Sequence, residues 1–330
     1  MTEPLAIVVG AARDLAAALL RPDRRIFLPH LLAAGLLATW VWARHVRGRR
    51  GLLGYLFPRE VWLHRSARED YALIALRAVV RAAFVAPMVI ATVPLAAKIA
   101  MKLAAIVGPS PLPALPRALA MGAFTVAAFV ADDFTRFLLH LLAHRVPVLW
   151  ELHKVHHSAE VLTPFTVHRV HPLEAWLNGL RGAATTAVVA GLFAWALPGR
   201  VGGFDVLGVG ALGFVWSLAG SNLRHSQVWL SYGRALEHIF ISPAQHQIHH
   251  SREPRHYDRN FGSALALWDW MFSTLYVPRA RERLSFGLPD DVRNHRPGVV
   301  AMVVDPVVAA ARRLTAHVWP RLSVGAERSK

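Results

Sequence analysis

Apolar residues along this chain run in long blocks, and five blocks approach the length of a bilayer-crossing helix: 27–43, 73–101, 115–139, 180–198 and 204–222. A hydrocarbon core needs about 20 apolar residues per helix. The second block carries Arg77 and Arg81 near its start and Pro87 and Pro94 inside it, which predicts a kink or a re-entrant path. The third ends in Asp132, Asp133 and Arg136 and then runs into His140. Beyond residue 222 the chain is more polar. There, 235–250 and 263–276 read as helical or mixed segments, followed by a linker rich in Pro and Arg at 278–297. The pattern predicts an all-α integral membrane bundle of about four or five transmembrane helices with a cytosolic helical cap.

Charge between the blocks gives an orientation. Arg44, Arg47, Arg49, Arg50, Arg59, Arg65 and Arg68 crowd the segment 44–70, whereas 106–114 has no charge and 198–203 only Arg200. Positively charged loops stay cytoplasmic, so His140 to Leu180 and everything after about 222 are expected on the cytoplasmic side. The N-terminus then falls outside, against the tendency of Arg21, Arg24 and Arg25. Residues 4–20 lack the charged leader of a signal peptide and read as an amphipathic start.

Composition agrees with a membrane setting. Hydrophobic residues make up 54% and charged residues 18%, below the roughly 25% usual in soluble domains. The net charge of +16 fits positive-inside loops and anionic headgroups. No zinc-finger or RNA-recognition signature accompanies it, so nucleic acid is not an expected partner. The chain has no cysteine, which excludes disulfides and thiolate ligands. Any metal must be held by nitrogen or oxygen.

Histidine supplies the candidate chemistry. The chain has 18, and their placement matters more than their number. His140 and His144 form HLLAH, His153, His156 and His157 form HKVHH, and His246, His249 and His250 form HQIHH. His168 and His171 stand in HRVHP, and His225 in NLRHS. Residues at i, i+3 and i+4 share a helix face, so each box aims two or three imidazoles one way. Three boxes offer about twice the donors of a four-coordinate zinc site, and the set fits two metal ions. Imidazole suits Zn, Cu, Fe and Ni alike. A hydrolytic zinc site needs a water-activating carboxylate, as in HExxH, and that motif is absent. A redox pair, most simply iron, is the better fit.

The runs DDFTRFLLHLLAH (132–144), LWELHKVHHS (149–158), HRVHPLEAW (168–176), SPAQHQIHHS (242–251) and NFGSALALWDWMFSTLYVP (260–278) resemble the sterol desaturase / fatty acid hydroxylase superfamily. The resemblance implies a catalytic domain at 126–280, preceded by an N-terminal segment (1–26) and a transmembrane region (27–125) and followed by a cytosolic tail (281–330). It implies two iron ions held by His140, His144, His153, His156, His157, His225, His246, His249 and His250, with His171 as a further ligand or outer donor. Asp133 is expected to accept a hydrogen bond from a ligand imidazole, and Asn260 and Asp269 to brace the last box. Ser221 departs from the pattern, because some members place a histidine there, and Ser273 stands within a tail that usually reads FGT.

The activity so implied is oxidation of a lipid by dioxygen, as hydroxylation or desaturation. No Cys cluster or GxGxxG run is present, so electrons are expected from a separate ferredoxin or small cytochrome with an NAD(P)H reductase. A membrane zinc hydrolase and a metal-transport protein stand as alternatives. Trp150, Trp176, Trp216, Trp229, Trp268 and Trp270 read as an interfacial belt. Arg136, Arg145, Arg169 and Arg224 read either as contacts for a headgroup or acidic electron carrier, or as orienting, snorkelling charges.

Overall fold

The computed structural model describes residues 9, 13, 17–21, 27–110, 112, 115–200, 210–292 and 294–318. Among them regular structure is helical, apart from one isolated antiparallel bridge between Phe240 and Leu265. In chain order the main helices are α1 (Leu28–His45), α2 (Arg65–Val107), α3 (Arg117–Arg145), α4 (Pro147–His157), α5 (Pro172–Ala196), α6 (Ala211–Leu218), α7 (Pro243–His249), α8 (Leu267–Met271) and α9 (Val299–Val318). Helices α4, α5 and α7 each start on a proline, where the missing N–H costs nothing and the fixed φ suits the first turn.

Three helices, α2, α3 and α5, are long and apolar enough to cross a bilayer. They correspond to the second, third and fourth apolar blocks. The first block forms α1, which carries Arg44 and His45 in its last turn and is not among the three. The fifth lies only partly within the described residues. Residues 204–209 lie outside the described residues, and α6 runs only eight residues before Gly220 turns left-handed at φ 99°. Three of the expected four or five spanning helices are thus long and apolar enough among the described residues.

The irregularity expected in the second block is a π turn at Arg81–Val85, and the helix continues through it. Pro87 has no N–H to return to the preceding turn, and a widened turn absorbs the mismatch. At 43 residues, α2 extends about 64 Å, twice the hydrocarbon thickness, so its polar first half stands outside the apolar layer.

Contacts at the helix ends fix the bundle's direction. Trp195 Nε1 donates to the Gly108 carbonyl (2.9 Å) and Ser110 Oγ to that of Ala196 (2.8 Å), so α2 and α5 finish together. They approach so closely that a Cβ on Gly191 would lie 2.7 Å from Ile99 Cβ. Phe124 and Ala128 of α3 close this core with Ala96 and Ala190. At the opposite end, the N-terminal halves of α2 and α5 and the C-terminus of α3 support α4, α7 and the loops between them. Helix α7 lies with α4 there, so the chain returns to that end between Leu197 and Ser221. Within the stretch read as a tail, α9 packs its Met302 against Leu73 and Val155.

A buried ionic network ties this end together. Arg169 is 1% exposed. Its Nε donates to Asp70 Oδ1 (2.6 Å), Nη1 to Ser158 Oγ (2.8 Å), and Nη2 to the Ser66 carbonyl (2.8 Å) and Glu69 Oε2 (3.0 Å). Arg169 thus neither snorkels nor meets a headgroup. It joins α2 to the end of α4. Removing one partner of such a set leaves uncompensated buried charge, which costs about 3–5 kcal/mol. Arg169→Met should therefore lower Tm sharply, read by circular dichroism in detergent. Arg169→Lys should not restore it, because an ammonium cannot reproduce the planar fork.

Candidate metal centre

Each histidine box is positioned by ordinary helix chemistry. Helix α3 presents His140 and His144 one turn apart near its end, and α4 presents His153, His156 and His157. Helix α7 opens with a reciprocal cap, in which Ser242 Oγ accepts from Gln245 N and Gln245 Oε1 from Ser242 N. That cap sets the rotation of His246 and His249, and His250 follows at the helix end. His225 follows the 3₁₀ turn Ser221–Leu223.

These nine histidines gather in two groups. His140, His144, His153, His157 and His249 form one; His156, His225, His246 and His250 form the other. Within each group the candidate donor atoms all lie within 4.8 Å of one another. The groups adjoin, with the His157 and His250 rings stacked at 4.6 Å.

Hydrogen bonding decides which nitrogens face inward. His140 Nδ1 lies 2.8 Å from the Phe261 carbonyl, His249 Nδ1 2.8 Å from that of Arg259, and His156 Nδ1 3.1 Å from that of Arg169. A carbonyl only accepts, so each Nδ1 carries the proton and each Nε2 a lone pair. His153 Nδ1 donates likewise to Glu174 Oε1 (2.8 Å). The Nε2 atoms of His140, His153 and His249 are buried without a hydrogen-bond partner. In the second group His225 Nε2 lies 3.2 Å from His156 Nε2, 3.1 Å from His250 Nε2 and 3.0 Å from His246 Nε2. One proton cannot satisfy three such contacts. Two imidazole nitrogens bound side by side to a cation at about 2.1 Å lie about 3.0–3.4 Å apart, so the spacing fits a shared metal ion.

Burial, aided by the neighbouring imidazoles, holds His157, His246 and His250 well below the usual histidine range. It lowers His156 and His249 to about 3. These rings are neutral at physiological pH, the form that ligates. The residues present therefore fit a metal site of two nitrogen-rich groups.

Other expected residues fall elsewhere. His171 belongs to neither group: its Nδ1 accepts from Leu173 N (3.1 Å) at the start of α5 and its Nε2 donates to the Val303 carbonyl (2.9 Å). With both nitrogens engaged it is a helix cap and a tether to α9. Asp133 accepts no imidazole proton. Its carboxylate takes Ala264 N (2.8 Å), Leu265 N (2.9 Å) and Trp268 Nε1 (3.0 Å), fixing the loop before α8. Asn260, left-handed at φ 58°, bonds the Gln245 and Tyr276 carbonyls through Nδ2 and accepts Tyr276 N at 2.7 Å. Asp269 accepts from Phe261 N (2.8 Å), Gly262 N (2.7 Å) and Thr274 Oγ1 (2.6 Å). Burial still pushes its carboxyl up to about 6. Both residues hold the segment whose Phe261 carbonyl orients His140. His256 pairs with Glu282 at 3.1 Å, away from both groups.

Glu174 went unnoticed in the sequence, although it stands three residues after His171 in the first turn of α5. The orienting carbonyls of Phe261, Arg259 and Arg169 carry no side-chain signal at all.

A cavity of about 360 Å³ reaches this centre. His140, His153, His156, His225 and His246 line its inner end, and Val80, Val85, Leu139, Leu149, Leu152 and Leu177 much of its wall.

Three helices apolar enough to span a membrane, with two adjoining imidazole groups that could each hold a metal ion beside a cavity, define a class of histidine-rich helical protein. Residues 125–274 match the fatty acid hydroxylase family, and this match supports a place for the chain in the sterol desaturase / fatty acid hydroxylase superfamily. It is similar to the alkylglycerol monooxygenase of Xenopus tropicalis, 27% identical over 169 residues, 51% of this chain and 34% of that one. Ornithine lipid hydroxylase OlsE of Rhizobium tropici is 27% identical over 188 residues, 57% of this chain and 51% of its own length. The Delta(7)-sterol 5(6)-desaturase of Eremothecium gossypii is 28% identical over 137 residues, 42% and 33% of the two chains. The chain thus spans a third to a half of these relatives. No solved structure matches it.

Outer hydrogen bonds to ligand imidazoles typically contribute about 10–100-fold to metal affinity. Glu174→Gln keeps an acceptor for His153 but removes the charge. Metal titration should show weakened binding of that order, with far-UV dichroism unchanged. Unaltered binding would mean that His153 is not a ligand.

Proposed function

We propose that this chain is a membrane-bound di-iron oxygenase that hydroxylates or desaturates a lipid, such as a sterol or fatty acyl chain, using dioxygen and externally supplied electrons. One observation carries the reading: nine imidazoles converge in two groups, and five of them line a cavity whose wall is partly apolar. The printed activities of the relatives, a monooxygenase, a hydroxylase and a desaturase, support it. We take 126–280 as the catalytic unit, with the histidines on the cytoplasmic side.

Bound in the two groups, iron would supply the reduction of dioxygen to an oxidant able to attack an unactivated C–H bond. The protein's own contribution is positional. Nδ1–H bonds to backbone carbonyls and Glu174 hold the imidazoles with lone pairs inward before any ion arrives. Leu139, Leu149 and Leu152 line the same cavity as five of the histidines and offer apolar surface to an alkyl chain. Hydroxylation puts one oxygen atom into the lipid and one into water, consuming two electrons and two protons. The donor we infer is a ferredoxin or small cytochrome served by an NAD(P)H reductase, docking on the cytoplasmic face.

The test is metal analysis of purified protein beside oxygen uptake with NAD(P)H, reductase and membrane lipid. Two irons per chain should accompany oxygen consumption and a lipid mass change of one oxygen or two hydrogens. Zinc alone, with no oxygen consumed, would favour a hydrolase and end this reading.

A further inference from the structure

The wall of the cavity is more cationic than a hydrocarbon substrate requires. Besides the apolar residues it includes Arg77, Arg81, Arg136, Arg181 and Arg224, against a single acidic lining residue, Glu174. Glu174 is already engaged by His153. Asp132 must serve two guanidiniums, Arg136 Nη2 at 2.9 Å and Arg181 Nη1 at 2.8 Å.

Two of the arginines are not solvent-seeking charges. The Arg181 side chain is 12% exposed, and its Nε is buried without a hydrogen-bond partner. Arg224 is 4% exposed. It donates from Nε to the Ser221 carbonyl (3.0 Å) and from Nη1 to that of Ser263 (2.6 Å). Among the described residues no carboxylate pairs with it. Buried cations whose partners are neutral carbonyls or half of a shared carboxylate favour an incoming anion. The planar fork of Arg suits phosphate and carboxylate.

Depth points the same way. Arg181 stands where the apolar run of α5 begins and Arg81 eight residues into that of α2, the region where headgroups are expected to meet a spanning helix. Arg136 precedes His140 by one turn, about 6 Å along α3, and Arg181 follows Glu174 by seven residues, about 10 Å along α5.

Resting on the lipid-oxygenase reading above, we propose that the substrate carries an anionic head, phosphate or carboxylate, held by Arg136, Arg181 and Arg224. The carbon to be oxidised then lies within about 10 Å of that anion, in the part of the lipid nearest the head. A neutral sterol or glycerol ether leaves this cluster unanswered.

The test is binding in neutral detergent, read by tryptophan fluorescence, with three probes of one chain length: a lysophosphatidate, a free fatty acid and a monoacylglycerol. The anionic probes should bind about tenfold more tightly than the neutral one, equivalent to about 1.4 kcal/mol. Whichever anion binds better identifies the head. Inorganic phosphate or acetate alone should not displace them, which separates an amphiphile site from a free-anion site. Arg181→Gln and the more exposed Arg136→Gln should each reduce the preference to about threefold or less, with Arg181→Lys retaining more of it. Equal affinity for the monoacylglycerol, or a preference unchanged in both Gln variants, would overturn the proposal. No turnover enters the measurement. Preference without oxidation would therefore count against the oxygenase reading alone, and oxidation without preference against this one.

Discussion

The structure depends on one electrostatic constraint. At least four imidazoles are held so that Nδ1 donates to a carbonyl or carboxylate, and their lone pairs are confined to a buried space. Lone pairs at such spacing repel one another unless a proton or a cation stands between them, so the fold holds an arrangement suited to a bound metal. Structural metal sites contribute to folding because such donors are costly to gather without the ion.

Much of the surrounding structure serves to keep those carbonyls in place. Asp269 and Asn260 hold the loop that carries the Phe261 carbonyl to His140. Asp133 pins the next stretch of that loop to α3. Arg169 spans α2 and the end of α4 by its side chain while its own carbonyl orients His156. Ligand geometry is thereby coupled to helix packing some distance away. Damage to a buried ion pair and damage to a ligand should then be hard to separate by activity alone.

The all-helical class, three of the long apolar helices and the eight histidines of the three boxes were legible in the sequence, because each rests on local periodicity; His225 was expected from the resemblance alone. The i, i+3, i+4 rule survives any tertiary context, and a run such as 180–198 needs no partner to be recognised. His171 was expected as a ligand or outer donor from the resemblance alone, and only the folded chain shows its nitrogens engaged by Leu173 N and the Val303 carbonyl. Asp133 was misread because nothing local shows that a loop more than a hundred residues later would claim its carboxylate. Glu174 and the backbone carbonyls that orient the rings depend wholly on tertiary contact.

The central claim is that imidazole nitrogens, from boxes distant in sequence, surround each of two metal ions. X-ray absorption at the edge of the resident metal tests it most directly. The expected spectrum has a first shell of nitrogen near the roughly 2.0–2.1 Å usual for imidazole, with multiple scattering from four or more rings per ion and no sulfur. A shell dominated by oxygen, with one ring or none per ion, would contradict it.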